Sequence, residues 1–145
     1  KNAYYVELIG SLTRADILPG ALDTLSYLKG RGVKVAIGSS SKNTPIILRQ
    51  IGLENAFDAV ADGNAITHSK PDPEVYLLAA RKLGLAPAEC IVAEDAPVGI
   101  EAARRAGMSV IGVATTFRRE DLSDYDLLID DFTQIGPQQI RALKA

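Results

Sequence analysis

The chain has 145 residues, 47% of them apolar and 23% charged, with a formal net charge of −2. That size suits a single domain burying roughly two-thirds of its unfolded surface, and the interspersed signs argue against a nucleic-acid surface. No apolar run approaches the ~20 residues of a membrane span and none has the build of a secretory leader, so no membrane partner is expected. The single cysteine, Cys90, excludes an internal disulfide, suits a reducing cytoplasm and reads as a small buried residue.

Taken in order, residues 2–12 are predicted to be a helix, with Tyr5, Leu8, Ile9 and Leu12 at helical spacing. Pro19-Gly20 breaks it, and a second helix should run over 21–29, with Leu22, Leu25 and Leu28 inward and Gly30 and Gly32 ending it. Residues 33–38 form a short apolar strand, buried on both faces as in a parallel sheet. Pro45 then opens a helix carrying Ile46, Ile47, Leu48 and Ile51. The pattern repeats: strand 57–61, helix 72–83, strand 90–93, helix 98–106, strand 110–113, strand 127–129 and a terminal helix over 138–143. Alternation of this kind implies right-handed crossovers and a doubly wound, Rossmann-like α/β core of three layers around a parallel sheet. Residues 1–145 read as one such core, with no repeat and no second domain.

Three patches carry the chemistry: Ser39-Ser40-Ser41-Lys42-Asn43, Lys70-Pro71-Asp72-Pro73 and Glu94-Asp95. The first and third directly follow apolar runs, and neighbouring strands of a parallel sheet converge at their carboxyl ends on one crevice. Adjacent carboxylates there are costly unless something positive lies beside them, and Mg²⁺ suits them. The hydroxyls, the amide and the Lys42 ammonium suit an anion at the start of a helix. Pro71 restricts Lys70 to extended backbone and aims its side chain. Each patch also has a plainer reading. Asp95 can cap the following helix, Ser39 to Asn43 can be an ordinary strand-to-helix loop, and Lys70 can be solvated beside a capping Asp72. His68 reads as a surface residue, and Arg104-Arg105 as the wet face of a helix.

The order of the patches resembles the haloacid dehalogenase superfamily, and within it the β-phosphoglucomutase-like branch. Residues 35–43 are similar to that branch's second motif, 69–73 to its third and 94–103 to its fourth. Residues 2–6 and 17–20 resemble the segment leading back from the cap domain into the core, so 1–20 is expected to be that segment. The resemblance implies that Ser39 hydrogen-bonds a transferring phosphoryl group, Lys70 neutralises it, and Glu94 and Asp95 ligate Mg²⁺. It places Ser41, Lys42 and Asn43 at the second phosphate of a sugar bisphosphate, and Lys1 where a cap lysine reaches over the site. The family's Asp-x-Asp motif, which supplies the nucleophile and the acid–base aspartate, precedes no patch here. Asp124-Tyr125-Asp126 has its spacing but stands near the C-terminus. The resemblance therefore implies a cytoplasmic, monomeric enzyme that transfers phosphoryl groups through an aspartyl-phosphate. Its expected partners are a small sugar phosphate and an N-terminal segment of the same protein carrying the nucleophile. The expected reaction is that of β-phosphoglucomutase, β-glucose 1-phosphate to glucose 6-phosphate. The alternatives are a phosphatase acting on a small sugar phosphate and a non-catalytic phosphate-binding regulatory module.

Overall fold

The structure is a computed structural model that describes residues 5–7, 20–136 and 138–139. Strands Tyr5–Glu7 (β1), Ala36–Gly38 (β2), Ala59–Ala61 (β3), Cys90–Glu94 (β4), Ser109–Val113 (β5) and Leu127–Ile129 (β6) form one sheet. Its order is β3-β2-β1-β4-β5-β6, and every described pairing is parallel. Helices Ala21–Gly30 (α1), Thr44–Gln50 (α2), Glu74–Leu83 (α3) and Pro97–Arg105 (α4) make the crossovers. The expected doubly wound α/β core is what forms.

Two cores explain why. On one side of the sheet Leu25, Leu28, Leu48 and Ile51 meet Val35, Ile37, Ile91 and Ile111. On the other side Val75, Tyr76, Ala79, Ile100 and Ala103 meet Ala36, Val92 and Val110. Alternate residues of β2, β4 and β5 thus feed opposite layers, as the period of two in a strand requires. Both faces are covered, which is why these strands read as unbroken apolar runs.

The helix expected over 2–12 is corrected at Tyr5–Glu7, which is strand; the remainder of that stretch lies outside the described residues. Helical spacing of apolar side chains does not exclude a strand over so short a run, and pairing on both edges decides the outcome. Tyr5, Val6 and Glu7 pair with Cys90, Ile91 and Val92, and Glu7 also pairs with Ala36. The second strand starts later than the apolar run suggests. Val35 gives its N–H to the Asp58 carboxylate at 2.8 Å and its carbonyl to Asp58 N–H at 2.8 Å, so it is held by a loop side chain before the ladder begins. The terminal helix is described only at Gln138 and Gln139. Among the described residues no helix is long and apolar enough to cross a membrane.

Candidate active site

The chain runs β1, β2, β3 toward one edge and β4, β5, β6 toward the other, so the topology switches between β1 and β4. A crevice forms outside the carboxyl ends of strands at such a switch. Glu7 pairs with Ala36 and Val92, whereas β2 and β4 run on to Gly38 and Glu94. The ends of β2 and β4 thus stand on either side of β1.

Lys70 spans that interval. Its ammonium donates to the Gly38 carbonyl at 3.2 Å and to Glu94 Oε2 at 3.0 Å. The patches expected to converge, at the ends of β2 and β4 and at the Pro-x-Pro turn, are joined by this one side chain. The turn is aimed by its own hydrogen bonds. Glu74, in the first turn of α3, accepts the N–H of Thr67 at 2.8 Å and of His68 at 2.9 Å. Those two N–H bonds hold its carboxyl below the usual glutamate range. Asp72 accepts the Glu74 N–H at 2.9 Å and gives its own N–H to the Ser69 carbonyl at 3.0 Å. His68 is exposed and leans on Glu74 at 3.2 Å, the surface position expected for it.

Glu94 is 3% exposed, and its carboxylate is saturated. Oε1 accepts the N–H of Asp95 at 3.0 Å and of Ala96 at 3.3 Å. Oε2 accepts Lys70 and the Tyr76 hydroxyl. Four donors meet the four lone-pair directions of a carboxylate. Burial pushes the Glu94 pKa up, and the Lys70 charge pulls against it. Gly99 makes room for this arrangement, because a methyl group there would overlap the Glu94 carboxyl.

Asp95 is half-buried and less encumbered. Its Oδ2 accepts the Thr116 hydroxyl at 2.6 Å, from the loop that follows β5. The pair offers hard carboxylate oxygen at a strand end beside a cation, which fits Mg²⁺ in kind. Asp95 is the more available oxygen donor, since Glu94 already meets four hydrogen-bond donors. No group of three or more His, Cys, Asp and Glu that could hold a metal ion occurs among the described residues.

Ser39 leaves β2 with its N–H on the Ala61 carbonyl at 2.9 Å, and its hydroxyl oxygen accepts the Ser41 N–H at 3.1 Å. Its O–H proton is thereby left to point elsewhere. Ser41 Oγ accepts the Asn43 N–H at 3.0 Å, while Lys42 and Asn43 are exposed. Ser40 Oγ is buried with no hydrogen bond among the described residues. The loop is pinned from below by the Asp62-Gly63-Asn64 turn. Gly63 donates its N–H to the Ser41 carbonyl at 3.0 Å, and the Asn64 amide reaches the Lys42 carbonyl at 3.0 Å. A methyl at Gly63 would overlap the Ser40 carbonyl. Lys1 lies outside the described residues.

Tyr76, Gly99, Thr116 and Gly63 were not singled out by the sequence reading. The available signals were a tyrosine in the helix turn after Pro-x-Pro and a glycine in the first turn of the helix after Glu-Asp.

The family model of haloacid dehalogenase-like hydrolases matches residues 1–107. The chain is 42% identical over 113 residues to β-phosphoglucomutase of Bacillus subtilis (strain 168), covering 78% of this chain and 50% of that protein. It is also 42% identical over 83 residues to fructose-1-phosphate phosphatase YqaB of Escherichia coli (strain K12), covering 57% of this chain and 44% of the relative. The crystal structure of β-phosphoglucomutase from Clostridium difficile superposes with a TM-score of 0.82 at 34% identity, over 92% of this chain and 58% of that one. The chain thus spans about half the length of the curated relatives it matches.

Proposed function

Starting from the premise that this chain belongs to the haloacid dehalogenase-like hydrolases, we propose that its protein is a sugar-phosphate phosphomutase of the β-phosphoglucomutase type. The observation that carries this reading is the Lys70 ammonium, bonded at once to the Gly38 carbonyl and to Glu94. Such a cation beside Ser39 suits the charge on a transferring phosphoryl group. The Ser39 proton, the Lys70 ammonium and the Gly38–Ser39 turn would bind and orient that group. Asp95, with Glu94 beside it, would hold Mg²⁺. The ion supplies charge neutralisation at the phosphoryl oxygens when bound.

The aspartate nucleophile and its acid–base partner match no motif in this chain, and in this proposal they come from an N-terminal segment of the same protein. Ser41, Lys42 and Asn43 take the second phosphate of a sugar bisphosphate, since they stand past Ser39 on the exposed rim. The E. coli relative, as identical but over a shorter stretch of this chain, is a fructose-1-phosphate phosphatase, and a phosphatase is the rival reading. Lys42→Ala in the full-length protein separates the two. A charge-assisted contact is worth about 1.5–3 kcal/mol, so isomerisation of β-glucose 1-phosphate should fall roughly ten- to hundredfold. Hydrolysis of acetyl phosphate, which lacks a distal phosphate, should stay near wild type. Equal losses in both assays would favour the phosphatase.

A further inference from the structure

Tyr76 is fully buried in the first turn of α3, yet its polar end faces the site rather than the core. Its hydroxyl donates to Glu94 Oε2, the oxygen that also accepts Lys70. Its ring lies under the Lys70 ammonium, 4.8 Å from nitrogen to ring centre. One side chain thus touches both members of the Lys70–Glu94 ion pair, and it touches each by a different part. A phenylalanine would fill the same volume and keep the ring contact. The hydroxyl is therefore not required by packing alone, because a buried phenol needs a partner and brings no packing that phenylalanine lacks.

We propose that Tyr76 is a positioning residue with two separable functions, its hydroxyl fixing the Glu94 carboxylate beside Asp95 and its ring fixing the Lys70 ammonium. The proposal rests on the phosphoryl-transfer reading of the site. The ring acts on the phosphate side and the hydroxyl on the cation side. With the hydroxyl gone, Glu94 keeps its two backbone donors and Lys70 but loses the contact that sets its rotation at Oε2. With the ring gone, the ammonium loses the face on which it rests.

The separation makes a pattern that a purely structural role would not produce. In the full-length protein, NMR titration with MgCl₂ and, separately, with inorganic phosphate gives an apparent affinity for each probe. Tyr76→Phe is expected to weaken Mg²⁺ binding about tenfold and to leave phosphate binding within about twofold of wild type. Tyr76→Leu is expected to weaken both by about tenfold. A stability cycle with Glu94→Gln supplies a readout independent of ligands. The effects of Tyr76→Phe and Glu94→Gln on the unfolding midpoint should be non-additive, as for groups in contact. Wild-type binding of both probes with both variants unchanged, or with Phe and Leu indistinguishable, overturns this proposal alone. A full-length wild-type protein that binds neither probe overturns the phosphoryl-transfer reading and this proposal with it.

Discussion

Two of the molecule's charge clusters sit in opposite environments. At the strand ends, Lys70 and Glu94 pair at 3.0 Å with side chains 14% and 3% exposed. Near the amino ends of β5 and β6, Arg104 at the end of α4 reaches Asp126 at 2.9 Å and Asp124 at 3.5 Å, whose side chains are 36% and 72% exposed. The outer cluster does an architectural task. Arg104 also donates to the Asp124 carbonyl at 2.7 Å, where the backbone is left-handed with φ of 62°. Asp126 accepts the Val110 N–H at 2.8 Å, so α4, β5 and the approach to β6 are tied by groups that remain wet. Hydrated ions give little stability and lose little by pairing. Burying Lys70 and Glu94 carries a desolvation cost that apolar residues of similar shape would not. Cohesion alone does not account for keeping them there; the phosphate site proposed above would.

The sharpest way to break the comparison is to remove the inner cation. Lys70→Met leaves the Glu94 carboxylate buried without its counter-charge, and unfolding in urea at neutral pH should show a loss of about 3 kcal/mol. The loss should shrink as pH falls, because Glu94 can then take up a proton. A loss no larger than that of an exposed pair would place the two clusters in one class.

Gly99→Ala comes next. The added methyl must displace the Glu94 carboxyl, for about 1–3 kcal/mol of destabilisation, with weaker Mg²⁺ binding in a titration. Unchanged binding would show that the carboxylate's placement does not matter to the cation.

The pH dependence sharpens the same contrast. Burial raises the Glu94 pKa above 4.5, so the native state holds this proton more tightly than the unfolded chain. Its contribution is fully present below 4.5 and is lost as pH rises through the raised value. Half-buried Glu74 and exposed Asp130 are shifted downward, the first by backbone N–H groups and the second by Arg119, and act in the opposite sense. The difference between wild type and Glu94→Gln isolates the buried group. Relative to the variant, wild type should lose stability with rising pH, and a flat difference would mean Glu94 is not desolvated.

The smallest effect belongs outside. Arg104→Met should cost at most about 1 kcal/mol, and added salt should erase much of it.

What could be read from the sequence follows the range of the forces involved. Ser39, Lys70, Glu94 and Asp95 were legible because each is placed by a local pattern, an apolar strand followed by a polar turn or a lysine fixed by Pro71. Tyr76 and Gly99 were not, since their roles exist only where α3 and α4 pack against the end of β4. The strand at Tyr5–Glu7 was misread for a similar reason, as its partners Ala36 and Cys90 to Val92 are remote in sequence. The late start of β2 depends on Asp58, a loop residue that no periodicity reveals.

The bridge made by Lys70 has a mechanical consequence. It ties the carboxyl end of β2 to that of β4, the two strands that flank β1, and acts as a clasp whose jaws are the Gly38 carbonyl on one side and the Glu94 carboxylate on the other. An anion that drew the ammonium toward itself would slacken the clasp while offering its own oxygens in exchange. Occupancy of the proposed site and the tension between the two strand ends would then be one variable, and the amide hydrogens at the end of β2 are where a spectroscopist would hear it change.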